Sequence, residues 1–349
     1  MKILKQVLGV DVAQKELVVS LGRLTEDLNT EIYSHRVFTN KPSGFKALLK
    51  WLLKNTDKGI AVRVVMEATG VYHQKLAYFL VENSIRISVV LPNKISNYLR
   101  TLAVKTITDR TCADAICRFG IERNLDVWKK PDPVYTQLQQ LTRERNQIVD
   151  QRTVTKNQLH AEKAEARPNT GSIKRLNALI KLLNKHEQEI KTEIKTLLNN
   201  NSQLKKQIDY MTSIPGMGEL TAVIILAETN GFELIRNKKQ LCSYAGMDIK
   251  EKQSGTSVKG KPRLSKKGNK HIRKALYLPS LSAVKYNPVH GEVYARLVSR
   301  HGIKMKGLVA IQRKMLELSY ILVKKQIMFD PQYEKREPQT SYEPSLKLA

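Results

Sequence analysis

Residues 5–91 constrain this chain most, because their order of β-rich and helical runs leaves few ways to build a sheet. Residues 5–12 (KQVLGVDV) and 16–22 (ELVVSLG) are β-rich runs separated by Ala13-Gln14-Lys15, a hairpin-like interval. A third run, 32–38 (IYSHRVF), precedes Asn40-Lys41-Pro42-Ser43-Gly44, where Asn40 or Ser43 can cap a helix to about Lys54. Residues 61–66 (AVRVVM) form a near-continuous apolar run of the kind buried on both faces of a sheet. After Glu67-Ala68-Thr69-Gly70 come a helix over about 72–82 and a strand over 86–91 (RISVVL). Three strands, helix, strand, helix, strand, helix is the order of a mixed sheet with helices packed on it.

From 131 to 210 the chain changes character. Gly171 is the only glycine between 134 and 210, and Lys, Gln, Glu, Leu and Ile dominate. Ile173, Leu176, Ile180, Leu183, Ile190, Ile194 and Leu197 recur at helical spacing, and Arg167-Pro168-Asn169-Thr170-Gly171 reads as a turn. This predicts a long helical hairpin, coiled-coil-like and suited to dimerisation. Its first arm is less regular: Leu138, Leu141, Ile148 and Leu159 leave polar residues at some core positions, so solvated helices are the alternative. Residues 211–330 open with Ile214-Pro215-Gly216-Met217-Gly218 ahead of the helical TAVIILAET, continue through a basic loop at 252–271, and end in helices to about Phe329. The tail, 331–349, is rich in proline and charge and is expected to be disordered.

Charge selects the partner. The 349 residues hold 60 Lys and Arg against 32 Asp and Glu, a formal net charge of +28, while 41% are hydrophobic. That much apolar content places the charge on folded domains rather than on a basic tail. A folded protein this basic calls for a polyanion, and nucleic acid supplies one through phosphate neutralisation and counterion release. No apolar run approaches a membrane span and no basic amphipathic anchor is present, so a membrane partner is not expected. The three cysteines, Cys112, Cys117 and Cys242, form no CxxC pair, which suits a reducing cytoplasm.

Three acids stand at exits of the predicted sheet. Asp11 closes the first strand, Glu67 ends the 61–66 strand, and Asp109 begins the helix after the last strand. In a ribonuclease-H-like sheet these ends converge on one face, and convergent carboxylates are what hard Mg²⁺ ions require. Each alone also reads as an ordinary strand-end or capping acid. Residues 214–218 resemble half of a helix-hairpin-helix, whose backbone N–H groups can hold a phosphate; a simple turn reads equally well.

The segment Ser254–Arg273 carries the densest chemistry. No acidic residue occurs between Lys252 and Gly291. A glycine-flanked serine among Lys259, Lys261, Arg263, Lys266, Lys267, Lys270 and Arg273 has the setting for attack on a phosphodiester, since the cations stabilise developing negative charge. The alternative is a loop that positions phosphate, with a serine that only hydrogen-bonds. A hydrolase triad finds no support: there is no GxSxG, and His271, His290 and His301 have no carboxylate nearby in sequence.

Taken together, Val10–Lys15, Met66–Gly70 with Tyr72, Lys105–Gly120, Ile214–Gly218 and Ser254–Arg273 occur in the order of one family. The chain resembles the IS110 insertion-sequence transposases, or DEDD transposases, relatives of the Piv-type invertases, over about residues 1–330. The resemblance implies a ribonuclease-H/RuvC-like α/β domain (1–130), a helical coiled-coil linker (131–210) and a mostly α transposase domain (211–330). It implies Mg²⁺ on Asp11, Glu67 and Asp109, a nucleophilic Ser254 forming a phosphoserine intermediate, and donor and target double-stranded DNA paired with a guide (bridge) RNA. It also implies a homo-oligomer, a dimer of dimers, in which one protomer's carboxylates and another's serine make a composite site. One departure stands out: registered on Phe119-Gly120, the family's fourth acid falls on Cys112, and a thiol is a poor Mg²⁺ ligand. Asp114 is the nearest substitute, although on a regular helix it points about 140° from Asp109. Two other readings stay open, a junction nuclease using only the carboxylates and a decayed nucleoprotein that binds without breaking strands.

Overall fold

The computed structural model describes residues 2–102, 104–251, 253–255 and 258–332, with 258 and 259 described in their backbone alone. The chain forms two compact units, Met1–Lys130 and Pro131–Ala349.

The first unit opens with an antiparallel meander of β1 (Ile3–Val12), β2 (Glu16–Thr25) and β3 (Thr30–Thr39). Helix α1 (Pro42–Asn55) leads to β4 (Val62–Glu67), and α2 (Gln74–Glu82) leads to β5 (Arg86–Val90). The sheet order is β3-β2-β1-β4-β5, with β4 parallel to β1 and β5 parallel to β4. Both parallel pairs are joined through a helix, as such pairs require. The near-continuous apolar character of β1 and β4 follows from burial on both faces. Leu8, Val64 and Met66 pack with Leu48 and Leu52 of α1 and Leu76 and Leu80 of α2. Val7 and Val65 face the other way, onto Ile116 and Cys117 of α4 (Asp109–Glu122). This is the order and pairing of a ribonuclease-H-like sheet. A short helix that the sequence reading passed over, α3 (Pro92–Leu99), precedes α4.

In the second unit, α5 (Pro133–Ala164) and α6 (Thr170–Asn199) pair along their lengths around the turn at 165–169. Leu141, Ile148 and Thr155 are buried seven residues apart on α5, opposite a seam of Leu183, Glu187, Ile190, Ile194 and Leu198 on α6. Polar residues of the first arm find partners in backbone carbonyls and in Glu187 of α6. Thr142 and Thr155 hydroxyls donate to the carbonyls of Leu138 and Gln151, and Glu187 accepts from Arg145 at 2.7 Å and from Arg152, with Lys191 at 3.1 Å.

Helix α7 (Ser202–Thr212), the Pro-Gly turn and α8 (Glu219–Thr229) form a helix–turn–helix step. Gly216 has φ +93°, and a Cβ there would meet the Ala283 amide nitrogen at 2.8 Å, so the turn seats against α10 (Lys270–Tyr286). Helix α9 (Lys238–Tyr244) leads into the basic segment, and α11 (Pro288–His301) and α12 (Lys304–Lys325) complete the unit. No helix among the described residues is long and apolar enough to cross a membrane. Of the tail expected at 331–349, residues 333–349 lie outside the described residues.

Candidate active site

The sheet register fixes where the acids emerge. Val10 of β1 lies beside Met66 of β4 in parallel register, so the next residues along, Asp11 and Glu67, lie side by side at the same end of the two strands. Helix α4 brings the third acid. It crosses so close to β1 that a Cβ on Gly9 would sit 2.4 Å from both the Ala113 carbonyl oxygen and the Cys117 amide nitrogen. A Cβ on Gly120 would sit 2.7 Å from side-chain carbons of Val7 and Val65. Asp109 and Cys112 lie one turn before Ala113 and Ile116 on this packed face, and Thr108 with Thr111 closes a capping box at the helix start.

Electrostatics report the convergence. Burial, then the charges of Asp109 and Glu67, push the Asp11 carboxyl up to about 6. The half-buried Cys112 thiol is pushed up by burial and by the same three acids, Asp11, Glu67 and Asp109. Asp114 is not part of this group. Its Oδ1 accepts from the Ser20 hydroxyl at 2.6 Å and lies 3.3 Å from His35 Nδ1, over β2 and β3. Five residues of helix turn it away from Asp109, so the expectation that Asp114 stands in as a fourth ligand is corrected. Among the described residues no three His, Cys, Asp or Glu side chains are drawn together tightly enough to form a ready ligand cage. The donor chemistry nevertheless fits a hard divalent cation: Asp109 and Glu67 act on Asp11 at electrostatic range, and a cation there would offset the burial and the repulsion that raise its carboxyl.

The basic segment, expected as a loop, is a hairpin arm. Strands β6 (Ile249–Lys250) and β9 (Arg263–Leu264) pair antiparallel, and β7 (Gln253–Ser254) and β8 (Val258–Lys259) pair inside them. Ser254 is exposed and opposite Val258, followed by Gly255 at φ +55°. The root of the arm is tightly closed: Ser265 and Lys266 amides donate to the carbonyls of Asp248 and Gly246, and the Asn269 amide to that of Tyr244. Lys261, Arg263, Lys266, Lys267 and Lys270 are exposed, as a phosphate-facing role requires, while the Lys259 side chain lies outside the described residues. Arg273 differs, because its guanidinium donates to the Ala245 carbonyl at 2.6 Å and so supports the root.

Sequence reasoning missed Glu228 of α8, which sits inside the apolar run TAVIILAET and is 1% exposed. Its carboxylate accepts from Arg143 Nε and Nη2, each at 2.8 Å, and from Asn269 Nδ2 at 2.6 Å. An acid in so apolar a helix was the one available signal.

Residues 8–162 match the sequence model of a DEDD transposase of the IS110 type, and residues 208–295 match that of the "Transposase IS116/IS110/IS902 family". Pilin gene-inverting proteins of Moraxella bovis and Moraxella lacunata are each 25% identical over 329 residues, 93% of this chain and 98% of theirs. An insertion element IS110 protein of Streptomyces coelicolor is 25% identical over 114 residues, 33% of this chain and 28% of its own. Among solved structures, Thermus thermophilus RuvC in complex with a Holliday junction substrate matches at 12% identity and a TM-score of 0.27, covering 35% of this chain and 99% of that one. With one family's two sequence models matching both units, this chain belongs to the IS110 family of transposases.

Proposed function

We propose that the protein cleaves and rejoins DNA under RNA guidance, with Ser254 as nucleophile and a divalent cation, Mg²⁺, on Asp11, Glu67 and Asp109. The observation that carries the serine assignment is the exposed Ser254 beside the turn of a rooted arm with no acid from Lys252 to Gly291. Ser254 Oγ attacks a backbone phosphorus, giving up its proton as the Oγ–P bond forms. The bond from phosphorus to the leaving sugar oxygen breaks, and that oxygen takes up a proton. In this reading Lys261 and Arg263, with Lys266 and Lys267 nearer the root, supply the arm's cations for holding the DNA backbone and offsetting developing charge. A cation held by Asp11, Glu67 and Asp109 would supply Lewis-acid stabilisation of phosphate oxygens. Rejoining reverses the steps, with a strand's hydroxyl displacing Ser254.

Donor and target duplexes and a guide RNA are the partners that the net charge of +28 suits. The paired helices α5 and α6 serve, in this reading, as a coiled-coil element of a dimer of dimers. Covalent trapping of labelled DNA tests the assignment: the parent chain is expected to form a serine-linked adduct with Mg²⁺, and Ser254→Ala none. Recombination by Ser254→Ala at the parent rate would show the serine mechanism to be wrong. Asp11→Asn separates the roles further, since a carboxylate-only nuclease loses cleavage with Asp11→Asn but keeps it with Ser254→Ala. Cys112 beside the three acids favours a second reading, a copy that binds nucleic acid without breaking it. Strand cleavage that appears only in Cys112→Asp would decide for that reading.

A further inference from the structure

The arm that carries Ser254 is exposed and narrow, so its orientation must be set at its root. Three amide-to-carbonyl bonds close that root, and Asn269 is its last residue. Asn269 does two separate things. Its Oδ1 caps α10, accepting from the amides of His271 at 2.9 Å and Ile272 at 3.2 Å. Its Nδ2 donates to Oε2 of buried Glu228 at 2.6 Å, an oxygen shared with Arg143 Nη2 of α5 and with Gln139 Nε2 at 3.2 Å, while Arg143 Nε donates to Oε1. Tyr244, the carbonyl partner of the Asn269 amide, donates its hydroxyl to the Glu228 backbone carbonyl at 2.7 Å. Glu228 therefore links the long hairpin to Asn269 at the arm's root through its carboxylate, and holds Tyr244 on the root's other edge through its backbone carbonyl.

We infer that Glu228 is a positioning residue for Ser254, fixing the root of the serine arm to α5 through Asn269 and Arg143. The inference rests on the proposed role of Ser254, which Glu228 does not touch. Burial alone disfavours a charged Glu228, but the hydrogen bonds from Arg143 and Asn269 outweigh it and hold the carboxyl below its usual range. The tie is therefore ionic at neutral pH, and it is strong because it is charge-assisted and bidentate on the arginine side. A cap needs only a side-chain oxygen; a link to Glu228 also needs a donor. That difference separates positioning from mere helix capping.

The test uses the full chain with Asn269→Ser and Asn269→Asp. Serine and aspartate cap a helix about as well as asparagine, but serine loses the amide donor and aspartate sets a second negative charge against Glu228. Amide exchange at Ser265 and Lys266 is expected to speed up at least about ten-fold in Asn269→Ser and further in Asn269→Asp. The rate of DNA–serine adduct formation should fall about ten-fold or more while DNA affinity holds within about two-fold. Arg143→Gln, which cuts the α5 side and leaves the cap untouched, should move both readouts in the same direction. Unchanged exchange at Ser265 and Lys266 in all three variants overturns the inference, as does an Asn269→Asp variant that behaves like the parent. Should the parent form no adduct at all, the serine reading fails by itself, and the exchange measurement still decides whether Glu228 holds the root.

Discussion

Asp11 shows how a residue's strain can be read before any ligand is considered. Its carboxyl is raised to about 6 by burial and by Asp109 and Glu67. Because the folded pKa lies above the unfolded one, the folded state is penalised as pH rises from the ordinary aspartate range through about 6. Below that range Asp11 is protonated in both states and the penalty vanishes. Asp11→Asn in metal-free protein should therefore raise the melting temperature of the first unit by a few degrees at pH 8 and leave it unchanged at pH 3.5. Thermal melts at the two pH values check this; a gain of equal size at both would mean that charge is not the cause. At this scale the sequence was partly legible. Asp11, Glu67 and Asp109 stand where strand and helix ends are signalled by local pattern, and the turn of helix that separates Asp114 from Asp109 follows from spacing alone. The partnership of Glu228 with Arg143 and Asn269 spans 85 and 41 residues, and no local pattern announces it.

Elements hold these residues through close backbone approach and buried charge. Helix α4 delivers Asp109 only because Gly9 and Gly120 let it lie against the sheet. A Cβ at Gly9 would overlap helix backbone, which yields less readily than a side chain, so Gly9→Ala should cost roughly 1–3 kcal/mol or more. It should also lower the raised Asp11 pKa as Asp109 is lifted away; denaturant melts and carboxyl NMR titration read the two effects. On the α5–α6 pair, Glu187 occupies a seam position among leucines and isoleucines. Burial opposes its charge, yet hydrogen bonds from Lys191 and Arg152, with the charge of Arg145, hold its carboxyl below the usual range. Its stabilisation is thus present above the ordinary glutamate pKa and lost as pH falls through the lowered one. Glu187→Gln should destabilise the hairpin by roughly 2–3 kcal/mol at pH 7 by stranding part-buried arginines, with a smaller difference from the parent at pH 3. Urea melts followed by helical circular dichroism at both pH values measure it. The hairpin itself was legible from helical spacing. Its polar interior looked like weak packing because partners such as Arg145 and Glu187 lie on opposite arms, 42 residues apart.

At the scale of the whole molecule, the two chemistries of the proposed reaction sit in separate compact units, Asp11, Glu67 and Asp109 in Met1–Lys130 and Ser254 in Pro131–Ala349. The order of strands and helices made the first unit legible in sequence. The arm was not, because four strands of two residues each carry too little periodicity to be distinguished from a loop. Separate units permit the arrangement that the family resemblance implies, in which carboxylates of one protomer serve the serine of another, and subunit mixing tests it directly. Asp11→Asn and Ser254→Ala should each be inactive alone. Mixed at equal amounts and allowed to exchange partners, half of the dimers are hybrids. In each hybrid one site joins intact carboxylates to an intact serine, while its mate lacks both. Activity should then recover to about a quarter of the parent's. If both chemistries come from one chain, every site in the mixture lacks one of them and nothing recovers. Recombination of a marked DNA pair by the mixture, compared with each variant alone under the same guide, reads the difference.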